Sequence, residues 1–237
     1  MSSAAVTTER RDGVLIVHLD DGKANALSFD MIEAINSALD EAEGDDEVRA
    51  MVLHGRPGKF SAGFDLGVMF GDDMSAIIDL VADGGALVHR LYGSSVPVVA
   101  ASTGHALAAG ALLLLGCDVR VASDVEAKVG LNEVAIKMVL PNWALTIATD
   151  RLSKRHLQRA LANARITAPR EAVDVGFIDE VVPDGQEADR AVVIAAELAA
   201  TLDPSAYIRT VRAIRGSVLD LMAEQIASDR AGGVSPV

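Results

Sequence analysis

The sequence is poor in cysteine and in aromatic residues. Cys117 is its single cysteine, so an intramolecular disulfide is excluded and a reducing compartment is favoured. Aromatic residues make up only 3% of the 237 residues, although 50% of the chain is hydrophobic. A chain of this length and apolar content can bury a sizeable core. That core must consist mainly of small aliphatic side chains, with Cys117 as a packed thiol.

Basic residues and long apolar runs are also scarce. Lys and Arg number 21 against 34 Asp and Glu, a formal net charge of −13, and such a surface repels nucleic-acid phosphates. The most apolar stretch, residues 106–117, has about half the length of a membrane span, and the N-terminal residues lack the apolar run of a signal peptide. No cluster has the ligand spacing of a metal site. We therefore expect a soluble, cytoplasmic protein with no metal, membrane or nucleic-acid partner.

Hydrophobic periodicity divides the chain into two regions. Strands are predicted at residues 13–20, 49–54, 97–102 and 118–122, and helices between them at residues 28–43, 74–92 and 108–115. This alternation is typical of an α/β fold with mainly parallel strands. From residue 153 onward only helices are predicted, at residues 153–162, 169–175, 186–200, 204–215 and 218–231. We expect an α/β core over residues 1–185 and a helical assembly region over residues 186–237.

Two segments of small residues follow predicted strands, SAGFDL (residues 61–66) and GHALAAGA (residues 104–111). Ala62 and Gly63 leave room for a ligand beside the backbone. Ala109 and Gly110 open a helix whose first amides have no intrahelical acceptor, and these amides suit an anion. Two such amides converging on one oxygen would stabilise an oxyanion. The alternative is that both segments are only sites of close helix–sheet packing.

In their order and separation the two segments resemble the oxyanion-hole segments of the crotonase superfamily of enoyl-CoA hydratases and isomerases. The resemblance implies a crotonase-like spiral of ββα units with a helical C-terminal region, assembled as a homotrimer or hexamer. It also implies an acyl-CoA substrate and no cofactor, because CoA is part of the substrate. By position, the backbone amides of Phe64 and Ala109 would form the oxyanion hole. Substrate-binding positions in these segments would be Ala62, Gly63, Asp65, Leu66 and Gly110.

Residues 22–28, GKANALS, resemble the first CoA-contacting loop of the superfamily. Carried over by position, Ala24 and Ala26 would line the path of adenine and pantetheine. Lys23 could meet a CoA phosphate, which this acidic chain can attract only through a local basic spot; it could equally be a solvated surface lysine. Further along, Asp118 and Arg120 are expected to form a structural ion pair.

The catalytic carboxylates distinguish the possible reactions. Hydratases of the superfamily carry two glutamates; the second matches Glu133 in VGLNEVAI, whereas the first falls on Leu112. Mitochondrial isomerases keep a single glutamate in a similar segment, followed by a proline and an aromatic residue, here Pro141 and Trp143. An apolar wall would raise the pKa of Glu133 toward that of a useful general base.

The resemblance therefore favours a Δ3,Δ2-enoyl-CoA isomerase of fatty-acid metabolism, with Glu133 as acid and base and with Leu112 and Trp143 contacting the substrate. An enoyl-CoA hydratase of β-oxidation is the first alternative, with water positioned by Glu133. A non-catalytic acyl-CoA-binding protein is the second alternative, because one catalytic position is lost. Glu133 itself could instead be an acidic residue that only stabilises the start of a helix.

Overall fold

The computed structural model describes residues 5–232, so the outer ends of both predicted regions, residues 1–4 and 233–237, lie outside the described residues. The strands are β1 (Val6–Arg11), β2 (Val14–Leu19), β3 (Ala50–His54), β4 (Gly58–Ser61), β5 (Val98–Ser102), β6 (Gly104–Leu107), β7 (Val119–Ser123), β8 (Val129–Gly130) and β9 (Glu180–Val182). The α-helices are α1 (Phe29–Gly44), α2 (Leu66–Met69), α3 (Met74–Tyr92), α4 (Ala109–Gly116), α5 (Asn142–Arg151), α6 (Leu157–Ala160), α7 (Pro169–Val175), α8 (Glu187–Thr201) and α9 (Pro204–Arg230). A 3-10 helix spans Glu133–Ile136.

The larger of the two sheets has the order β1-β2-β3-β5-β7-β9, and the smaller one has the order β4-β6-β8. All neighbours are parallel except β1 and β2, which pair antiparallel. The first turn, β1-β2-α1, keeps both strands in the larger sheet. From β3 onward successive strands alternate between the two sheets, as in the turns β3-β4-α3 and β5-β6-α4. This arrangement confirms the predicted spiral of ββα units.

The long helices of the core follow the sequence pattern closely. Ser28 caps α1 as predicted, with its side chain accepting a hydrogen bond from the amide of Met31. Helix α3 has the predicted bounds, because Asp73 caps its first turn and Gly93 follows its last residue. The predicted apolar face of α1 is buried against the main core, with Ile35 and Leu39 fully inaccessible. Local capping and burial of one face therefore fix these two helices.

The region after residue 153 departs from the prediction in three ways. The predicted helix 153–162 is reduced to the four residues of α6. The region also contains a strand, β9, which pairs with β7 at the edge of the larger sheet. In addition, the predicted helices 204–215 and 218–231 form the single helix α9. Gly216 lies between them, but its helix-breaking cost of about 1 kcal/mol is outweighed by packing of α9 along α3 and α5. Helix α8 covers one face of the larger sheet through Ala191 and Ala195.

Strands β1, β4, β6 and β8 also lie outside the predicted set. The last three have four, four and two residues and contain glycine, so their sequences show no clear alternation of apolar and polar residues. Over residues 5–232 no individual helix has the length and apolarity of a membrane span; α8 and α9, bent by 107° relative to each other, meet that test only as a pair, by length and composition.

Asp118 joins α9 to the sheet. Its carboxylate accepts hydrogen bonds from Arg215 Nη2 at 2.8 Å and from the Tyr207 hydroxyl at 3.0 Å. Arg120 pairs with Asp179, with 2.6 Å between Nη2 and Oδ1. The predicted Asp118–Arg120 pair is therefore wrong, because each residue takes a partner that is remote in sequence.

Candidate active site

The two small-residue segments lie against each other with no space for side chains between them. A Cβ atom at Gly63 would lie 2.9 Å from the Cβ of Ala108, and one at Gly110 would lie 2.3 Å from the carbonyl oxygen of Ser61. Distances below 3.0 Å are not tolerated without movement of the backbone. Both glycines are therefore required for the close approach. The two segments do pack closely, as the packing alternative expects.

The amide of Phe64 is turned away from the neighbouring segment of Leu27. The amide of Leu27 donates to the Gly63 carbonyl at 2.8 Å, and the amide of Asp65 donates to the Leu27 carbonyl at 3.1 Å. These bonds form a parallel bridge between Leu27 and Phe64. Because successive amides of an extended segment point in opposite directions, the N–H of Phe64 is turned away from Leu27. Within residues 5–232 it has no backbone acceptor.

Ala109 presents a second free amide at the start of α4. Ala108, the residue before the helix, has φ 51° and ψ −127°, which costs an L-residue about 1–3 kcal/mol and is typical of functional sites. The carbonyl of Ala108 accepts from the amides of Ala111 and Leu112, whereas the amides of Ala109 and Gly110 have no backbone acceptor among the described residues. Free amides at the start of a helix are the kind of donor that an anionic oxygen accepts from.

A cavity of about 330 Å³ is bordered by Phe64 of the first segment and by Ala108, the residue before α4. Of the described residues that line it, only Asn132 and Glu133 are polar. The lining residues are Ala62, Phe64, Leu66, Met69, Phe70, Val81, Leu107, Ala108, Leu112, Asn132, Glu133, Ile136, Met138, Val139 and Pro141. The cavity therefore combines an apolar wall with a single titratable group, Glu133.

Glu133 lies in the first turn of the 3-10 helix and is 8% exposed. Its Oε2 atom is buried and has no hydrogen-bond partner among the described residues. Burial raises the pKa of Glu133 to about 7, against the opposing effect of the nearby backbone amides of Asn132 and Glu133. A carboxylate that is poorly solvated and titrates near neutrality is suited to general acid–base catalysis.

The other predicted substrate positions fall into three groups. Ala62, Leu66 and Leu112 line the cavity together with Phe64 and Glu133. Gly63, Ala109 and Gly110 form the close contact behind it. The segment of Ala24 and Ala26 lies beside the first oxyanion segment, because the amide of Ala62 donates to the Ala24 carbonyl at 3.0 Å.

Two predicted positions have polar surroundings of their own. Asp65 caps α2, accepting from the amide of Gly67 at 2.6 Å, so its carboxylate is engaged in fixing the loop. Lys23 is exposed, and its carbonyl accepts from Arg56 Nη1 at 2.7 Å. Lys23 and Arg56 thus lie at the outer end of the segment expected to contact CoA, where Arg56 also pairs with Asp20, with 3.0 Å between Nε and Oδ1.

The structure does not place Trp143 at the cavity. Its side chain is fully buried, and a Cβ on Gly85 of α3 would lie 2.8 Å from its indole ring. Trp143 therefore packs α5 against α3, while Pro141, two residues earlier, lines the cavity. The sequence spacing indicated an aromatic residue near the site but not the direction of its ring.

Asn25 has an important position that the sequence reasoning missed. It is buried with φ 50°, and its Nδ2 donates to the carbonyls of Leu19 and Phe60 at 2.7 and 3.1 Å. It thereby connects the loop of Ala24 and Ala26 to the strands on either side. Asparagine is one of the few residues that tolerate positive φ, so its place between two alanines was the available signal.

Comparisons with known proteins agree with this architecture. The family model described as enoyl-CoA hydratase/isomerase matches residues 9–230. Over 226 residues the chain is 32% identical to enoyl-CoA delta isomerase 1, mitochondrial, of Mus musculus, covering 94% of this chain and 78% of that protein. It is 35% identical over 199 residues to a putative enoyl-CoA hydratase of Thermus thermophilus, covering 78% of this chain and 74% of the relative.

Among solved structures, human mitochondrial delta3-delta2-enoyl-CoA isomerase superposes with a TM-score of 0.92 at 29% sequence identity. The match covers 98% of this chain and 91% of the human chain. The names of these relatives include both isomerases and hydratases, so the comparisons define a family and leave the reaction to the chemistry of the site.

Proposed function

We propose that this chain, which belongs to the enoyl-CoA hydratase/isomerase family, is a Δ3,Δ2-enoyl-CoA isomerase of fatty-acid metabolism. The observation that carries the proposal is the single titratable group among the described residues of the cavity wall, Glu133. Leu112, at the position of the first hydratase glutamate, lines the same cavity and can neither bind water nor transfer a proton. Moving a double bond needs one base, whereas hydration needs a water molecule to be held and a proton to be delivered.

In the proposed reaction the thioester oxygen of a 3-enoyl-CoA accepts hydrogen bonds from the amides of Phe64 and Ala109. The Glu133 carboxylate removes a proton from C2, and the electron pair of that C–H bond delocalises over the 3,4-double bond and the thioester as a dienolate. Glu133 then returns the proton to C4, which leaves the double bond between C2 and C3. The reaction is redox-neutral and requires no cofactor beyond the CoA of the substrate.

The electrostatics of the site support both steps. Each oxyanion donor of this kind lowers the barrier by roughly 3–4 kcal/mol, because charge accumulates on the thioester oxygen in the dienolate. The raised pKa of Glu133, about 7, makes its carboxylate a stronger base than an ordinary glutamate. The same pKa leaves the protonated form acidic enough to return the proton.

We also propose where CoA and other subunits bind. The segment of Ala24 and Ala26 would line the pantetheine path, and Lys23 would meet a phosphate with Arg56 beside it. Assembly as a homotrimer or hexamer is supported by Ile214 and Leu221, which are exposed one heptad apart on α9. Light scattering tests this assembly, and a monomer at micromolar concentration would contradict it.

A hydratase is the second candidate, favoured by Asn132. This amide lies beside Glu133 in the cavity wall and could orient a water molecule in place of the missing glutamate. A protein that is stabilised by CoA esters but turns over neither substrate would instead be an acyl-CoA-binding protein. Thermal shift and turnover assays on one preparation separate these cases.

The substitution Glu133→Gln tests the proposal, because it preserves size and hydrogen bonding and removes the base. We expect isomerase turnover to fall by about 10²–10⁴ while acyl-CoA affinity remains. The matched control is Glu187→Gln: Glu187 is 6% exposed and also has a buried Oε2 without a partner, but it lies on α8. Equal losses in the two variants would show that burial, and not base chemistry, is responsible.

A further inference from the structure

Two short apolar surfaces border the opening of the cavity. The first, which we call the α2 lip, consists of Leu66 and Phe70; the second, the 3-10 lip, consists of Ile136 and Val139. All four side chains line the cavity, yet their exposed fractions are 63%, 71%, 46% and 57% in that order. Large apolar side chains that are both exposed and part of a cavity wall indicate a surface that a ligand covers.

Both lips continue directly from catalytic positions. The α2 lip begins two residues after Phe64, which lines the cavity, and Ile136 ends the 3-10 helix that begins with Glu133. Three residues of a 3-10 helix advance by about 6 Å. A thioester bound at Phe64 and Glu133 would therefore direct its acyl chain along the same two elements, between Phe70 and Val139.

The chemistry of the wall restricts what can lie there. No described residue that lines the cavity carries a positive charge. Asp72 and Asp73 follow the α2 lip and are exposed, whereas the exposed Lys137 lies between Ile136 and Val139, so charges of both signs border the lips. Within the cavity, a carboxylate at the end of an acyl group would find no counter-ion among the described lining residues. Moving a hydrocarbon chain from water onto such an apolar surface is favourable, whereas moving an unpaired charge there is costly.

We propose that the two lips bind the distal part of an uncharged acyl chain and thereby make this protein selective for acyl-CoA thioesters with chains long enough to reach between Phe70 and Val139. The inference rests on the proposed function, since it assumes that the thioester lies at Phe64 and Glu133. Phe70 and Val139 are its specificity-determining residues. They act on the chain beyond the reacting carbons and take no part in proton transfer.

The test uses saturated thioesters, butanoyl-, octanoyl- and dodecanoyl-CoA, which cannot isomerise, so calorimetry reports binding alone. We expect the affinity of the unmodified protein to rise by at least about tenfold from butanoyl- to dodecanoyl-CoA, because each buried methylene contributes to transfer from water. In Phe70→Ser and Val139→Ser the dodecanoyl affinity should fall by about three- to tenfold, with the butanoyl affinity within about twofold. Val193→Ser is the matched control, since Val193 is 48% exposed on α8, away from the cavity.

The outcomes are separable. The lip proposal is overturned by affinities that do not depend on chain length, or by a dependence that survives in both lip variants. It is also overturned if Phe70→Ser dissociates an oligomer and leaves the chain-length dependence unchanged, because the lips would then be covered by another copy of the chain. Chain-length dependence without turnover of 3-enoyl-CoA would support the lips and contradict only the proposed function.

Discussion

Leu112 and Glu133 line the same apolar cavity, so the carboxylate of Glu133 has no acidic neighbour from the first turns of α4. Leu112 is fully buried there, at the position where hydratases of the family carry their first glutamate. The apolar residues of the cavity wall shield Glu133 from water and supply no second group for proton transfer. This pairing of one leucine with one glutamate is the basis of the isomerase proposal.

The pH dependence of turnover should reflect one carboxylate. Because Glu133 must be ionised to remove the C2 proton, kcat/KM should rise with pH and level off above a pKa of about 7. A descending limb from a second essential acid is not expected in the neutral range. Initial rates measured across that range decide the point, and a bell-shaped profile of kcat/KM would indicate an acid–base pair.

The ionised form of Glu133 should also lower the free energy of unfolding at alkaline pH. Its folded-state pKa of about 7 exceeds the ordinary value of 4.5, so the folded protein binds this proton more tightly than the unfolded chain does. The resulting stabilisation is complete below the ordinary value and is lost as the pH rises through about 7. Glu133→Gln should therefore be more stable than the unmodified protein at about pH 8, by up to about 3 kcal/mol, and should lose this advantage at about pH 4.

Urea unfolding of the two proteins at both pH values measures the difference. A stability difference that is the same at both values would show that the Glu133 carboxylate is well solvated in the folded state, contrary to its 8% exposure.

Gly63 should be required for the oxyanion geometry. In Gly63→Ala the new Cβ would press on the Cβ of Ala108 and separate the amides of Phe64 and Ala109. Turnover should drop by about 10²–10³, the loss expected for one misplaced oxyanion donor. Gly185→Ala is the control, because Gly185 also has positive φ, +79°, but no atom within 4 Å of its added Cβ. If Gly63→Ala turned over substrate as fast as Gly185→Ala, the close contact between Gly63 and Ala108 would not be needed for catalysis.

Arg215 should be a major stabilising residue of α9. It is 8% exposed, donates to Asp118 Oδ1 and to the Tyr92 carbonyl, and its guanidinium lies 4.5 Å from the centre of the Tyr92 ring. Arg215→Met leaves Asp118 without its cation and should cost about 3 kcal/mol or more. Arg212→Met, at an exposed position of the same helix, should change stability by less than about 0.5 kcal/mol. Thermal unfolding compares the two, and similar midpoints would show that Arg215 does not anchor the helix.

The sequence predicts the features that depend on local pattern and on motifs. Capping residues and apolar periodicity define α1 and α3, the small-residue segments locate Gly63 and Ala109, and the segment VGLNEVAI locates Glu133. It does not predict features that depend on contacts between distant elements. The partner of Asp118 comes from α9, Trp143 turns toward Gly85, and β9 exists only as a neighbour of β7. Of the two lips only Leu66 was predicted to bind substrate. Phe70, Ile136 and Val139 were missed for the same reason, since their exposure depends on how two segments distant in sequence border one cavity.

The central claim is that this protein moves a double bond and does not add water. Its most direct test is turnover of a 3-enoyl-CoA and of the corresponding 2-enoyl-CoA, measured side by side on one preparation. We predict rapid conversion of the 3-enoyl to the 2-enoyl thioester and hydration of the 2-enoyl thioester slower by at least about 10², the smallest contribution expected from a missing acid–base group. Efficient hydration of the 2-enoyl thioester, with the 3-enoyl thioester left unchanged, would contradict the account and assign the missing group to a residue such as Asn132.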